Sequence, residues 1–534
     1  MYSEDPAISQ AKIPPLVAFE AELGAHYADE LAGRDDLPPA GLVACGAHVE
    51  LLGQPAPHAG CGRGCSEFGP HGFRAYVDHN HPEICTPLCP DALSLVRWQR
   101  RLRELAVTLA QYAARRGCPI RIHTATTNRK GAGWGWHGNI LVDRKVFDHW
   151  RDAHFRPLMG QWVPFLVTAP ILFGTGKLGA ENGRPAARYQ LSQRADFISE
   201  VVSLETVETK ALINTRDEPW ADARRFARFH IAGPFEFNLM PYAAWLKFGC
   251  TQLMIALLSC AAARLPDLKL ADPLASLATV SRDLALSARL EMADGSGRTA
   301  LEIQESLVHA AARALQDGRI DEGLVPDAAL LVDEWARTLR QLARRDPALR
   351  GRLDWVARLD GIQHARRRLR WCGWDDPRLL EVDLRYGALD GGWFEQLEQA
   401  AGVIARCEDF LPPAVAGRPP VVCPRDAARL ALIKKFPYHL GCIDWDGVCL
   451  YADSGSGQEV YRIVLTDPLD ATAPLEAIAA ASTVGELIRS LPKTLCVRME
   501  CGEVPARKSD TGTLKKETSH ERPAAQNTAG GRPA

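Results

Sequence analysis

The sequence predicts an α+β fold: a mostly antiparallel sheet with polar residues on its concave face, backed by helices, followed by a small domain. Three observations predict it. Short strands such as Arg74-Ala75-Tyr76-Val77-Asp78 alternate apolar and polar residues with a period of two. Residues 91–116 and 239–372 carry helical periodicity. Residues 391–503 then mix short helical and strand patterns.

Composition bounds the function. The chain has 534 residues, 46% hydrophobic and 24% charged, with a net charge of −2. That is ordinary for a globular protein and gives no global basic field for nucleic acid. Met1-Tyr2-Ser3-Glu4-Asp5 lacks a basic and apolar leader, so the 15 cysteines are expected as reduced thiols in a cytoplasm. The most apolar run, Tyr242 to Ala263, contains Lys247 and Gln252 and reads as a buried helix rather than a membrane span.

In order, residues 1–40 read as an N-terminal extension, 41–390 as the main domain, 391–503 as the small C-terminal domain, and 504–534 as a disordered tail. Leu42 to Glu50 is expected as a strand with His48 and Glu50 on one face. Residues 53–72, rich in Gly, Pro and Cys, are a loop. In Arg74 to Glu83, Arg74, Tyr76 and Asp78 share a face, and Pro82 is expected to take the chain out of the sheet. Asp91 caps a helix with Leu95, Trp98, Leu102, Leu105, Leu109 and Tyr112 on its apolar side, ended by Gly117. The Gly-rich run Asn128 to Asn139 leads into Ile140-Leu141-Val142, with His137 and Asn139 together. Residues 192–197, 212–219 and 228–231 are further strands carrying charge. Thr299 to Leu315 and Ala328 to Leu342 are the clearest later helices.

On neighbouring strands, Glu50, Glu83, His137 and His230 would make a site for a hard cation such as Mg²⁺, which favours oxygen ligands. Arg194 and Arg216 carry the fork suited to phosphate oxygens, and Lys130 sits among glycines that let backbone N–H groups approach a phosphate. Taken singly, each of these residues also fits a salt-bridged strand or a turn.

The strings Tyr-Val-Asp-His-Asn-His-Pro-Glu (76–83), Asn-x-Lys-Gly-Ala-Gly-Trp-Gly-Trp-His-x-Asn (128–139), Ser-Gln-Arg-Ala-Asp-Phe (192–197) and Ile-Asn-Thr-Arg-Asp-Glu-Pro-x-Ala-Asp-Ala (213–223) resemble the Pup ligase and Pup deamidase/depupylase family. Weaker similarity continues through 354–357, 374–378 and 444–446, so the resemblance covers roughly residues 41–480 in family order. It implies a glutamine-synthetase-like cradle for Mg-ATP, or ADP plus phosphate, and chemistry at the C-terminal γ-carboxyl or γ-amide of Pup, a prokaryotic ubiquitin-like protein. Asp78-His79-Asn80-His81-Pro82-Glu83 is similar to the depupylase branch, with Asp78 as nucleophile or base. The resemblance also implies Glu50 and Glu83 as metal ligands, and Tyr76, Asn139 and Trp445 at the nucleotide, with simple core packing the alternative for Trp445. The family's Glu-x-Glu first strand is matched to His48-Val49-Glu50, and its His-Glu-Asn to His137-Gly138-Asn139. A divergent metal site lacking two carboxylates, with His48 as a ligand, is therefore expected. The alternatives are an ATP-dependent Pup–protein ligase and a degenerate nucleotide-binding adaptor without turnover.

Cys61, Cys65, Cys85 and Cys89, with His58 and His71 nearby, offer a zinc knuckle or simply small core residues. The Arg-rich run 337–370, with Trp355 and Trp371, is a solvated helix face or a groove for an acidic partner such as Pup. The terminal Gly530-Gly531-Arg532-Pro533-Ala534 reads as part of the tail.

Overall fold

The computed structural model describes residues 13–28, 37–51, 67–205, 209–260, 265–454 and 457–499. Its main element is an eight-stranded sheet. From edge to edge the strands are Glu200–Ser203, Ala211–Asn214, Phe226–Ile231, Trp136–Asp143, Val17–Glu22, His81–Cys85, Arg74–Asp78 and Glu67–Phe68. Every neighbouring pair is antiparallel except the first, Glu200–Ser203 with Ala211–Asn214.

The strand in the middle comes from the stretch expected to be an extension. Val17–Glu22 pairs with His81–Cys85 on one side and Trp136–Asp143 on the other. Alternation sends Val17, Phe19 and Ala21 to one face, where all three are buried, and Glu20 and Glu22 to the other. Phe19 stacks between Trp136 (5.2 Å between centroids) and Phe248 (5.8 Å), which ties the apolar face to the Pro241–Ser259 helix. That helix is buried along nearly its whole length, and among the described residues no helix is long and apolar enough to cross a membrane. Helix Ala92–Arg115 shares this core, with the Asp91 carboxylate accepting from the Ser94 N–H at 2.7 Å and Gly117 left-handed at φ +80°. The expected helices at 299–315 and 328–342 form as Ala300–Gln316, with a Thr299/Glu302 capping box, and Ala328–Arg344.

Three strand expectations change. Residues 40–51 form a helix, not a strand: Ala40, Gly41, Ala44, Cys45, Ala47 and His48 are buried at helical spacing. Pro82 does not leave the sheet; it pairs with Val77, and its carbonyl accepts from the Leu23 N–H at 3.0 Å. The reversal occurs at His79 (φ +43°) and Asn80 (φ +71°), a two-residue turn with both φ positive, the type whose twist suits a hairpin. Residues 192–197 are turns held by the buried Glu236 carboxylate, which accepts from the Gln193 N–H at 2.7 Å.

The small C-terminal unit has its own four-stranded antiparallel sheet, Leu440–Asp444, Gly447–Ser454, Gly457–Val464 and Cys496–Met499, with a core running from Ala428 to Cys496. Residues 391–416 pack instead into the main core through Phe394, Ile404, Phe410, Leu411 and Ala416. The boundary therefore falls near 423 rather than 391. The tail from 504 lies outside the described residues.

Candidate active site

In an antiparallel ladder directly paired residues share a face. Glu20 pairs with His137 and Cys85, Glu22 with Glu83, Glu83 with Tyr76, and His230 with Asn139 and Asn214. The face opposite the Phe19 core is thus a polar field across five central strands. His137 lies between two acids, Nδ1 3.6 Å from Glu20 and Nε2 3.9 Å from Glu22. The ligand atoms of Glu20, His137 and His230 all lie within 4.8 Å of one another. Arg228 closes the group, with Nη1 3.6 Å from Glu20 and donating to Asn139 Oδ1 at 3.3 Å.

Burial and crowding set the charge state of each group in the field. Burial, then the charges of Glu20, Glu22 and Asp78, pushes the Glu83 carboxyl well above the usual carboxylate range. Burial and Glu22 also raise Asp78, against the lowering effect of His79 and His137. Burial would raise Glu20 too, but the His137 imidazole and the positive charge of Arg228 outweigh it and hold that carboxyl low. Burial, with Arg228 and His137, drives His230 far below an ordinary histidine. Its imidazole is 3% exposed, and neither ring nitrogen has a hydrogen-bond partner among the described residues. A neutral, unpartnered buried imidazole among crowded carboxylates fits a divalent cation.

Asp78 ends its strand at the rim of this field. Its carboxylate is 39% exposed and meets the His79 Nδ1 at 2.8 Å. Beyond the turn, the His81 ring stacks on Trp134 at 4.3 Å. Gly135 must be small: a Cβ there would lie 2.3 Å from His137 Nε2 and 2.4 Å from Glu22 Oε1. Lys210 sits near Asp78 and Glu22, donates to the Gly133 carbonyl at 2.9 Å, and has its ammonium lowered to about 8 by burial and by Arg194.

A pocket of ≈ 540 Å³ opens beside the field, between the main sheet and the small domain. Its polar end carries Glu20, Asn139, Arg228 and Glu218, and its apolar end Leu88, Leu141, Trp220 and Trp445. Trp445 stands on the turn joining Leu440–Asp444 to Gly447–Ser454 and meets Phe68 edge-on at 4.9 Å.

The structure thus gathers Asp78, Glu83, His137, His230, Tyr76, Asn139 and Trp445 on or beside one face. It does not gather the others. Glu50 lies on the Ala40–Leu51 helix and accepts from the Tyr112 hydroxyl at 2.8 Å, with Arg116 at 3.5 Å. His48 is buried under the same helix, Nε2 to Nε2 with His71 at 2.9 Å. Two carboxylates, Glu20 and Glu22, stand instead on the central strand Val17–Glu22, so the field is not short of acids as expected from His48 and Gly138. Gly138 lies on the opposite, apolar face, against Ile231 and Trp136. Arg194 is a brace: Nε and Nη2 donate to the carbonyls of Gly233 (3.1 Å) and Ala232 (2.9 Å), and Nη1 to that of Trp134. Its guanidinium is buried rather than open to a phosphate. Arg216 is half-exposed and pairs with Glu218 at 3.2 Å, while Lys130 is exposed on its loop. Cys61, Cys65 and His58 lie outside the described residues; Cys85 is buried beside Tyr76, and Cys89 is in the main core. Trp355 and Arg358 of the Arg-rich run are buried, with Trp355 Nε1 donating to the Ile171 carbonyl, whereas Trp371 is exposed.

Glu20, Glu22 and Arg228 are the residues of this polar field that sequence reasoning missed. The signal for the first two was the alternation Val17-Ala18-Phe19-Glu20-Ala21-Glu22, upstream of the assumed domain start.

The chain is similar to known proteins. The family model described as Pup-ligase protein matches residues 26–449. The Pup deamidase/depupylase of Mycobacterium tuberculosis is 32% identical over 435 residues, 79% of this chain and 83% of that protein. The Pup–protein ligase of Kocuria rhizophila is 34% identical over 399 residues, 70% of this chain and 80% of that protein. The solved complex between prokaryotic ubiquitin-like protein Pup and its ligase PafA superposes with a TM-score of 0.71 at 25% identity, over 91% of this chain and 97% of that one. A family match over most of the chain, reaching the strands that carry Glu83, His137 and His230, makes this protein a member of the Pup-ligase family.

Proposed function

We propose that the chain is a nucleotide- and divalent-cation-dependent amidohydrolase that cleaves the C-terminal γ-glutamyl amide or isopeptide bond of Pup or a Pup-like protein, acting in the cytoplasm. The observation that carries the reading is Asp78, an accessible carboxylate on a two-residue hairpin at the rim of the acidic field. Hydrolysis adds water across the carbonyl-to-nitrogen bond, leaving a γ-carboxylate and a free amine. Asp78 attacks the carbonyl carbon or takes the proton of the attacking water, and its raised pKa brings it nearer the working pH of a base.

Glu20, Glu22, Glu83, His137 and His230 would hold Mg²⁺ or Mn²⁺, which supplies charge stabilisation for phosphate oxygens. Arg228 and Asn139 orient the same phosphates, and Leu141 and Trp445 receive the base. A solved structure of the ligase PafA in complex with ADP has the same fold, with a TM-score of 0.63 at 24% identity. Glu20 and Glu22 supply carboxylates on the field, which favours turnover over a degenerate adaptor.

A ligase is the second reading, favoured by the Kocuria rhizophila relative at 34% identity. Incubation with ATP, Mg²⁺ and a Pup ending in glutamine separates the two. The hydrolase converts the amide to the acid and releases ammonia; the ligase needs a Pup ending in glutamate and an amine acceptor, and releases ADP. Asp78→Asn is expected to abolish the conversion, and unchanged turnover by that variant would sink the role assigned to it.

A further inference from the structure

Two cysteines of the small domain face each other across the Leu440–Asp444 and Gly447–Ser454 strands. The Cys442 S–H donates to Cys449 Sγ at 2.8 Å, and both residues are buried. A β-bulge brings them together. Leu440 pairs with Leu450 and Ile443 with Val448, so three steps on one strand match two on the other. Gly441 and Cys442 therefore both stand opposite Cys449, an arrangement that re-aims a side chain. A Cβ on Gly441 would crowd Cys449 Cβ at 3.2 Å, so the glycine keeps the approach open.

The pair stands off the apolar core. Ile443, Val448 and Leu450 belong to that core, and alternation turns the cysteines to the other face. There Cys449 pairs with Arg462 of the next strand, whose guanidinium reaches Asp444 at 3.4 Å and Asp446 at 2.6 Å. The hydrogen bond from Cys442 lowers the Cys449 thiol; burial opposes that and the Arg462 guanidinium adds to it. The same bond, with burial, raises the Cys442 thiol, so the shared proton stays on Cys442. Among the described residues no third metal-ligating side chain joins the two sulfurs, which favours a bond between them over a metal. Leu440–Asp444 is the outer strand of its sheet, so local opening admits a water-sized oxidant.

We propose that Cys442 and Cys449 are a peroxide-oxidised pair that closes a disulfide across this hairpin, with Cys449 as the attacking sulfur. The Cys449 thiolate attacks one oxygen of hydrogen peroxide, the O–O bond breaks, and hydroxide leaves as water with the proton that Cys449 released. The resulting sulfenic acid is attacked by the Cys442 sulfur; the S–O bond breaks, and hydroxide leaves as a second water with the proton of Cys442. The two sulfurs lose two electrons and the peroxide gains them. The bond encloses the turn that bears Trp445 and so fixes one wall of the pocket. The proposal does not rest on the proposed function.

The test treats the full chain, reduced and freed of reductant, with hydrogen peroxide, then alkylates it in denaturant before tryptic mapping. Phe436 to Arg462 is one tryptic peptide and holds these two cysteines alone. It is expected to lose two hydrogens, to take up no alkylating agent, and to regain both thiols with dithiothreitol. Amide exchange over residues 440–450 should slow with the bond in place. Cys442→Ser should stop at a sulfenic acid on Cys449, captured by a dione probe, and Cys449→Ser should give neither product. A wild-type peptide that still alkylates at both cysteines would overturn the proposal, as would a bond from either one to a third cysteine.

Discussion

Replacing Glu83 by Gln should make the ion-free protein more stable and the ion-loaded protein less so. The carboxyl is 3% exposed, pairs directly with Glu22 across the ladder, and shares its face with Glu20 and Asp78. Two like charges about 5 Å apart at an effective dielectric of about 20 repel by about 3 kcal/mol. Protonation of Glu83 relieves part of this, so a net gain of about 1–2 kcal/mol, a fraction of that repulsion, is expected for Gln at pH 7.5. The sign follows from linkage. The folded pKa lies above the unfolded one, so the penalty is absent below about pH 4, where both states are neutral, and grows as pH rises. At about 2.1 cal/mol/K per residue, a cooperative unit of this size moves about 1 °C per kcal/mol, so the ion-free Tm should rise about 1–2 °C. A cation at a hundred times its Kd stabilises wild type by about 2.7 kcal/mol, and a tenfold loss of affinity halves that to about 1.4 kcal/mol. Calorimetric Tm in EDTA and across a Mn²⁺ or Mg²⁺ titration, at pH 7.5 and pH 4, measures both quantities. A lower ion-free Tm for the variant, or an ion-induced shift equal to that of wild type, would refute the reasoning.

Glu50→Gln should leave cleavage activity within about twofold, because among the described residues that carboxylate meets Tyr112 and Arg116 on the helix surface; a large loss in a Pup-cleavage assay would return it to the site. Gly135→Ala should cost about a hundredfold in turnover with little change in Tm, since the new methyl displaces His137 and Glu22 by an ångström or more. Burial holds the His48 and His71 imidazoles at about 3 and about 4, so the folded pair stays neutral while the unfolded chain takes up protons below about 6.5. Their contribution to stability is complete above that pH and is lost as pH falls toward 4. Urea midpoints between pH 7 and pH 5 should fall in wild type, and less steeply in His48→Leu/His71→Phe.

Much of the field was legible because alternation is a local signal. Arg74, Tyr76 and Asp78, then His137 and Asn139, fall on one face in the sequence as they do in the fold. Helix Ala92–Arg115 announced itself by its stripe and its Asp91 cap. Residues 42–50 misled because a short run of small apolar residues fits strand and helix equally; burial at positions 40, 44, 47 and 48 decides it. Arg194 misled because a guanidinium matches carbonyls as readily as phosphates, and three carbonyls converge on it only in the tertiary fold. The place of Trp220 gave no signal at all, since its carbonyl is held by an arginine 205 residues away.

The middle position of the Val17–Glu22 strand also has a bearing on synthesis. Its partner across Glu20, His137, follows more than a hundred residues later, and at about 5–20 residues per second the ribosome takes on the order of ten seconds to deliver it. Until then the side of the strand that Trp136–Asp143 will pair with stays an open edge, and Phe19 lacks the Trp136 and Phe248 rings between which it stacks. The acidic side chains of the polar field lie on that same waiting strand, where two negative charges in six residues discourage it from pairing with another nascent copy. Glu20 and Glu22 would then guard the strand against aggregation before they serve chemistry, and an Ala substitution at both would show itself first as insoluble protein.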